Sequence, residues 1–210
     1  MQTVQIKPPN FKTASFHIKG TSPLVIHRFS QKVKDSFQAK METGKAAGSK
    51  KDRTAVTMEE LFDAARYRSA AGWDGFNASA MRCAMISACR LVGFKMTLAK
   101  LSVVVLEDGR DATEPQIPLI RIIGKPILQK DIGRTETGVA MLIVRPAYHD
   151  WAADVRIRWD ADQFTLEDIS ALLMRVGQQV GIGEGRNDSK NSCGMGWGSF
   201  EISEEKPKRK

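Results

Sequence analysis

Residues 151–203 read WAADVRIRWDADQFTLEDISALLMRVGQQVGIGEGRNDSKNSCGMGWGSFEIS, and their reading decides the fold. From Trp151 to Asp160 the residues alternate. Ala153, Val155, Ile157 and Trp159 point one way, and Asp154, Arg156, Arg158 and Asp160 the other, which predicts a strand with one buried face. Thr165-Leu-Glu-Asp168 supplies a hydroxyl N-cap and first-turn acids. Leu166, Ile169, Leu172, Leu173, Val176 and Val180 then form the apolar face of a helix to about Gln179. A glycine-rich segment follows, and Trp197 to Ser203 reads as a last strand.

Upstream, Ala14 to Gly20 alternates as a half-buried strand, Ser22-Pro23 breaks it, and Leu24 to Ile26 is a short apolar run. Thr57-Met-Glu-Glu60 has capping-box spacing and predicts a helix through Leu61, Phe62 and Ala65 toward Tyr67 or Arg68, closed by Gly72. A second helix is predicted from about Asn77 to Val92, with Met81, Ala84, Met85, Ala88 and Leu91 as its apolar stripe and Gly93 as its stop. Its small residues suit close packing on a sheet. Leu101 to Leu106 reads as a central strand, 116–123 as a second apolar run, Asp131 to Gly138 as a polar loop and Val139 to Val144 as a strand.

The order strand, helix, strand, strand, helix, strand predicts an α+β fold with a ferredoxin-like β-α-β-β-α-β core, interrupted at about 20–73 and 107–138. A doubly wound parallel sheet fits less well, because strand and helix do not alternate regularly. The length predicts one domain, 1–205, followed by a basic tail, 206–210.

Glycine recurs at 181, 183, 185, 194, 196 and 198. Gly permits φ > 0 and close backbone approach, and successive N–H groups in such loops form concavities for anions. Arg186 and Lys190 add charge there. The order is helix, glycines, strand, the reverse of a Rossmann or Walker fingerprint. The competing reading is a C-cap glycine followed by a plain connection. Glu184 and Asp188, with Arg186 between them, read as a local ion pair rather than a metal site, and no cofactor is called for.

Lys and Arg outnumber Asp and Glu by 32 to 24, giving net charge +8. Much of the excess lies in Lys40 to Arg53, which holds Lys45, Lys50, Lys51 and Arg53, and in the tail Lys206–Lys210. Both stretches lack the apolar residues needed to offset ordering entropy, so both are expected to move when unbound and to follow a polyanion backbone. A solubilising loop and a frayed tail are the plain alternative. Three cysteines without a secretory signal argue against a disulfide framework. No apolar run approaches a membrane span, and the first residues lack a signal-peptide core, so no membrane partner and a cytoplasmic location are expected.

The split core, its second helix running into Gly-Ile-Gly and then Gly-Met-Gly-Trp-Gly, resembles the RAMP superfamily of CRISPR-associated RNA-binding proteins. The Pro-Leu-x-x-His start and Gly-Ile-Gly-Glu-x-Arg end are also similar to proteins common in bacteriophage genomes. The resemblance covers roughly half the chain. It implies contact between the Gly-rich loop and RNA backbone, a viral origin, and one of two roles. One is a non-enzymatic subunit that polymerises along a strand as a homo-oligomer, often with an inserted hairpin thumb. The other is a metal-independent endoribonuclease with a histidine near the N-terminus, which His27 in Pro23-Leu-Val-Ile-His-Arg-Phe29 matches in position.

His27 beside Arg28 suits a general base, but the sequence supplies no matched acid, so binding of single-stranded RNA or DNA without cleavage is expected. The candidate contacts are Gly181, Gly183, Arg186, Lys190, Gly194 and Gly196. To these the basic stretch adds Lys45, Lys50, Lys51 and Arg53; Arg156 and Arg158 offer a sheet platform if their face is open; and Trp73 is the stacking candidate in a Gly-Trp-Asp-Gly turn. A viral assembly or decoy protein that binds a host protein and no nucleic acid is the third reading.

Overall fold

A computed structural model describes residues 7–28, 57–134, 138–189 and 194–204. In chain order the described elements are β1 (Phe11–Gly20), β2 (Leu24–Val25), α1 (Met58–Ala64), β3 (Tyr67–Arg68), β4 (Asp74–Asn77), α2 (Ala78–Ala88), α3 (Met96–Ser102), β5 (Val103–Leu106), β6 (Gly109–Arg110), β7 (Pro118–Arg121), β8 (Ile127–Arg134), β9 (Ala140–Tyr148), β10 (Ala152–Asp160), α4 (Leu166–Arg175) and β11 (Phe200–Ile202). The fold is α+β with antiparallel sheets. No helix among the described residues is long and apolar enough to cross a membrane.

The largest sheet runs β11-β1-β10-β5. Phe11 to Lys19 pairs with Asp160 to Ala152 in one uninterrupted antiparallel register. The alternation predicted for β10 holds: Ala153, Val155, Ile157 and Trp159 are all buried. Ile18, Val103, Val105 and Phe200 bury on the same face, against Met81 and Met85 of α2 and Ile169, Leu172 and Leu173 of α4. Thr165 and Asp168 close a capping box on α4, as Thr57 and Glu60 do on α1. Gly93, at φ +68°, ends the turn that follows α2.

Two small sheets, β3-β4-β7-β6 and β2-β9-β8, sit beside this core. They draw strands from both predicted interruptions: β3 pairs with β4, which pairs with β7, and β2 and β8 flank β9. A buried carboxylate locks them together. Asp74 accepts from the Tyr148 hydroxyl at 2.8 Å and from Arg66 through Nη2 at 2.6 Å and Nε at 3.1 Å. Burial first, and then the Asp74 carboxylate, push the Tyr148 phenol far above its ordinary range, so it stays a donor. Arg28 makes a second clamp, to Glu114 at 2.7 Å and Asp111 at 3.3 Å.

Local periodicity misplaces five segments. The helix expected to reach Tyr67 or Arg68 stops at Ala64. Tyr67 and Arg68 instead pair with Gly75 and Asp74 in a short hairpin, and that strand pairing outweighs helical spacing. Leu101 and Ser102 end α3 rather than begin a strand, and the Arg82 side chain takes the Lys100 and Val103 carbonyls at that junction. Residues 131–134, expected as loop, continue β8 along β9. That ribbon needs no apolar face, and Ile132 stands 81% exposed. Trp197 lies outside β11, which starts at Phe200. The strand expected at Val139 to Val144 runs on through Pro146 to Tyr148 and belongs with β8 and β2, not with the four-stranded sheet.

Candidate functional site

A cleft of about 550 Å³ opens between α2 and the start of the Gly-rich loop. One wall is a stripe of α2. Asn77 caps the helix by accepting from the Ser79 N–H at 2.8 Å, and Ala80, Cys83, Ala84 and Ser87 follow at helical spacing. The small residues noted for close packing on a sheet therefore serve partly to open this space. The facing wall is Val180 to Glu184.

A π-helical turn, Val176–Val180, ends α4, and Gly181 donates to the Val176 carbonyl at 2.7 Å. Ile182 donates to Gly198 at 3.1 Å, Glu184 to Val25 at 2.9 Å and Asp188 to Val180 at 3.0 Å. The loop is thus stitched to β2 and to its own far end. Gly181, Gly183, Gly194 and Gly196 all take positive φ, from 74° to 76°. At Gly183 a Cβ would sit 2.5 Å from the Val25 carbonyl oxygen, so the glycine is required by the protein's own packing. Gly196 is different: a Cβ there would meet nothing within 4 Å.

At one end of the cleft Ser87 donates to Asp188, and Arg90 reaches the same carboxylate oxygen at 2.7 Å. The Ser87 hydroxyl, assisted by Arg90 and opposed by burial, holds Asp188 below the usual carboxylate range. Arg186 donates to the Gly183 carbonyl at 3.0 Å and also lines the space. The expected Asp188–Arg186 pairing is therefore replaced by a contact with α2, a hundred residues away in sequence. At the other end stand His27, Tyr67 and Glu184.

Burial first, and then the Arg145 guanidinium, pull the His27 imidazole below its ordinary value, while Glu184 opposes them. Continuing the β2–β9 register sets His27 across from Arg145. The unfolded imidazole takes a proton near pH 6.5, and the folded one resists until lower pH. The stability that His27 contributes by staying neutral is present above about pH 6.5 and is lost as pH falls through the folded value. Unfolding free energy measured by denaturant titration between about pH 7.5 and 5.5 should fall less steeply for His27→Gln than for the wild type. An unchanged slope would show that His27 is not held neutral by the fold.

The structure thus brings His27, Gly181, Gly183 and Arg186 together at the cleft. It does not bring Arg28 with them, since that guanidinium is committed to Asp111 and Glu114 and lies 5.9 Å from the Tyr67 ring centre. Trp73 is half-buried, its ring against Gly75 and Gly109 of the small sheet rather than in the cleft. Arg156 and Arg158 are exposed on the open sheet face, which looks away from α2 and α4 and so from the cleft wall that α2 builds. Arg156 engages Asp108 and the Glu107 carbonyl, and Arg158 stacks 5.1 Å from the Phe11 ring centre. On that face Asp154 pairs with His17 at 2.8 Å.

Lys45, Lys50, Lys51, Arg53, Lys190 and the tail Lys206–Lys210 lie outside the described residues. Among the described residues no group of three or more His, Cys, Asp or Glu is placed to hold a metal ion. Tyr67, Cys83, Ser87 and Arg90 are cleft residues that sequence reasoning missed. For Cys83 and Ser87 the one signal was the helical stripe from Asn77 to Ser87, read as a packing face. No family model matches the chain, and no curated protein matches it in sequence.

Proposed function

We propose that the protein binds single-stranded nucleic acid without cutting it, through a ferredoxin-like domain of RAMP type. The fold part rests on strand order. Numbering the four strands of the large sheet along the chain, they lie fourth, first, third, second, with both long helices on one face, as a split β-α-β-β-α-β unit requires. The observation that carries the function is the cleft itself. Arg90 and Arg186, from segments far apart in sequence, both line it, together with the positive-φ backbone of the Gly-rich loop and, at the other end, the half-buried Tyr67 ring. Cations for phosphate and an aromatic surface for a base are what sequence-tolerant single-strand binding needs. The net charge of +8 supplies the longer-range attraction. A viral origin and self-association along the strand belong to the same reading and rest on the resemblance.

Cys83, exposed and lining the cleft, tests the placement directly. A saturating short oligonucleotide should slow alkylation of Cys83, read by peptide mass spectrometry. Log affinity should fall linearly with log salt, at about 0.7 per phosphate contact, and removing Lys206–Lys210 should flatten that line. Binding that leaves Cys83 reactivity untouched would move the site elsewhere. No binding at about 50 mM salt would hand the function to the assembly or decoy reading. One observation favours a nuclease as the second reading: His27 faces the cleft and is held toward its neutral, basic form. RNA shortened in metal-free buffer by wild type and not by His27→Ala would establish it.

A further inference from the structure

The charges lining the cleft do not suit a phosphate alone. Arg90 and Arg186 are matched there by Glu184 and Asp188, and His27 is pulled toward neutrality. Asp188 is answered by Ser87 and Arg90. Glu184 is not answered in this way. It is half-buried, its backbone N–H is tied to Val25, and among the described residues no side-chain hydrogen bond or ion pair engages its carboxylate. Yet it lines the cleft alongside His27 and Tyr67 and is close enough to act electrostatically on both. A carboxylate is acceptor-only and repels phosphate, so a ligand that fills this end must bring hydrogen-bond donors.

We propose that this end of the cleft seats one guanine base, with its N1–H and N2–H donated to the two carboxylate oxygens of Glu184 and its ring against Tyr67. Guanine is the one common base whose Watson–Crick edge carries two adjacent N–H donors, spaced for a carboxylate fork. Cytosine and adenine offer a single amino group flanked by acceptors, which a carboxylate repels. Unstacked bases of single strands are commonly recognised along that edge while they stack on aromatic rings. The space is of the size that takes small planar ligands. Arg28 lies over one side of the Tyr67 ring, and Tyr67 itself lines the cleft. Ile26, Phe76 and Met96 give the pocket an apolar lining.

The inference rests on the single-strand reading only for where the base comes from, and the test separates the two. A short strand with one guanine is compared with the same strand carrying inosine, which keeps N1–H and lacks the N2 amine. Free guanosine and inosine are titrated in parallel. Wild type should bind the guanine strand about tenfold more tightly than the inosine strand, the scale of one good base contact. Glu184→Gln, folded with an unchanged melting temperature, should bind the two alike. Strands that bind equally well with either base overturn the guanine site and leave strand binding standing. Guanosine that binds in a Glu184-dependent way while no strand binds overturns the strand reading and keeps the site. If neither strand nor nucleoside binds, both fall.

Discussion

Gly198→Ala should not accumulate as a stable folded chain. Gly198 is buried at φ +69°, and its added Cβ would lie 1.8 Å from the Ile182 carbonyl oxygen and 2.8 Å from the carbonyl carbon. No rotamer relieves this, because both atoms are backbone. Neither can the backbone retreat easily. Gly198 donates to Pro23 at 2.8 Å and accepts from Ile182 at 3.1 Å, so it is held between the loop's start and the chain leaving β1. A destabilisation of about 4 kcal/mol or more is expected, a large part of the stability of a domain this size. Gly196→Ala is the internal control. It has the same left-handed backbone, φ +74°, but open space around the new carbon, so only conformational strain of about 1–2 kcal/mol applies. Circular dichroism melts of the two variants check this; equal melting temperatures would mean that the loop is looser than its hydrogen bonds imply.

Asp74→Ala should cost about 3–5 kcal/mol, the scale for removing one partner from a buried ion pair. The substitution leaves the Arg66 guanidinium and the Tyr148 hydroxyl facing each other with no acceptor between them. Asp74→Asn should cost less, since one amide oxygen can still accept. Tyr148→Phe should cost only about 1–2 kcal/mol, because Asp74 retains Arg66. Denaturant midpoints in that order would confirm the carboxylate as the centre of the lock. An Asp74→Ala protein with wild-type stability would show that β4 and β9 hold their positions without it.

These two effects mark what was legible in the sequence and what was not. The glycine cluster was visible at once, and its positive backbone angles follow from residue type. Which glycines face solvent and which face another backbone was hidden, because Ile182, Val25 and Trp197 close in only after folding. The β10 alternation, the capping box of α1 and the N-cap of α4 were readable because their causes are local. Tyr67 and Arg68 carried helical spacing and became a strand, since their partner strand decided the matter. His27, Gly181, Gly183 and Arg186 were each singled out, but nothing in the sequence joined them to Arg90 or Ser87. Polar residues on one helix look alike until the loop that packs against them is known. Asp74 was passed over as part of a turn, since a buried carboxylate leaves no mark in periodicity.

The position of β1 has a consequence for synthesis. Both strands that flank it, β10 and β11, come from the last third of the chain. At about 5–20 residues per second, β1 leaves the ribosome on the order of ten seconds before its first partner exists. During that interval its hydrogen-bonding edges and the side chains of Phe16 and Ile18 have no native strand to pair with, so nascent chains face an aggregation hazard that the finished fold does not. Production should therefore respond to elongation rate and chaperone supply, even when the purified protein is stable.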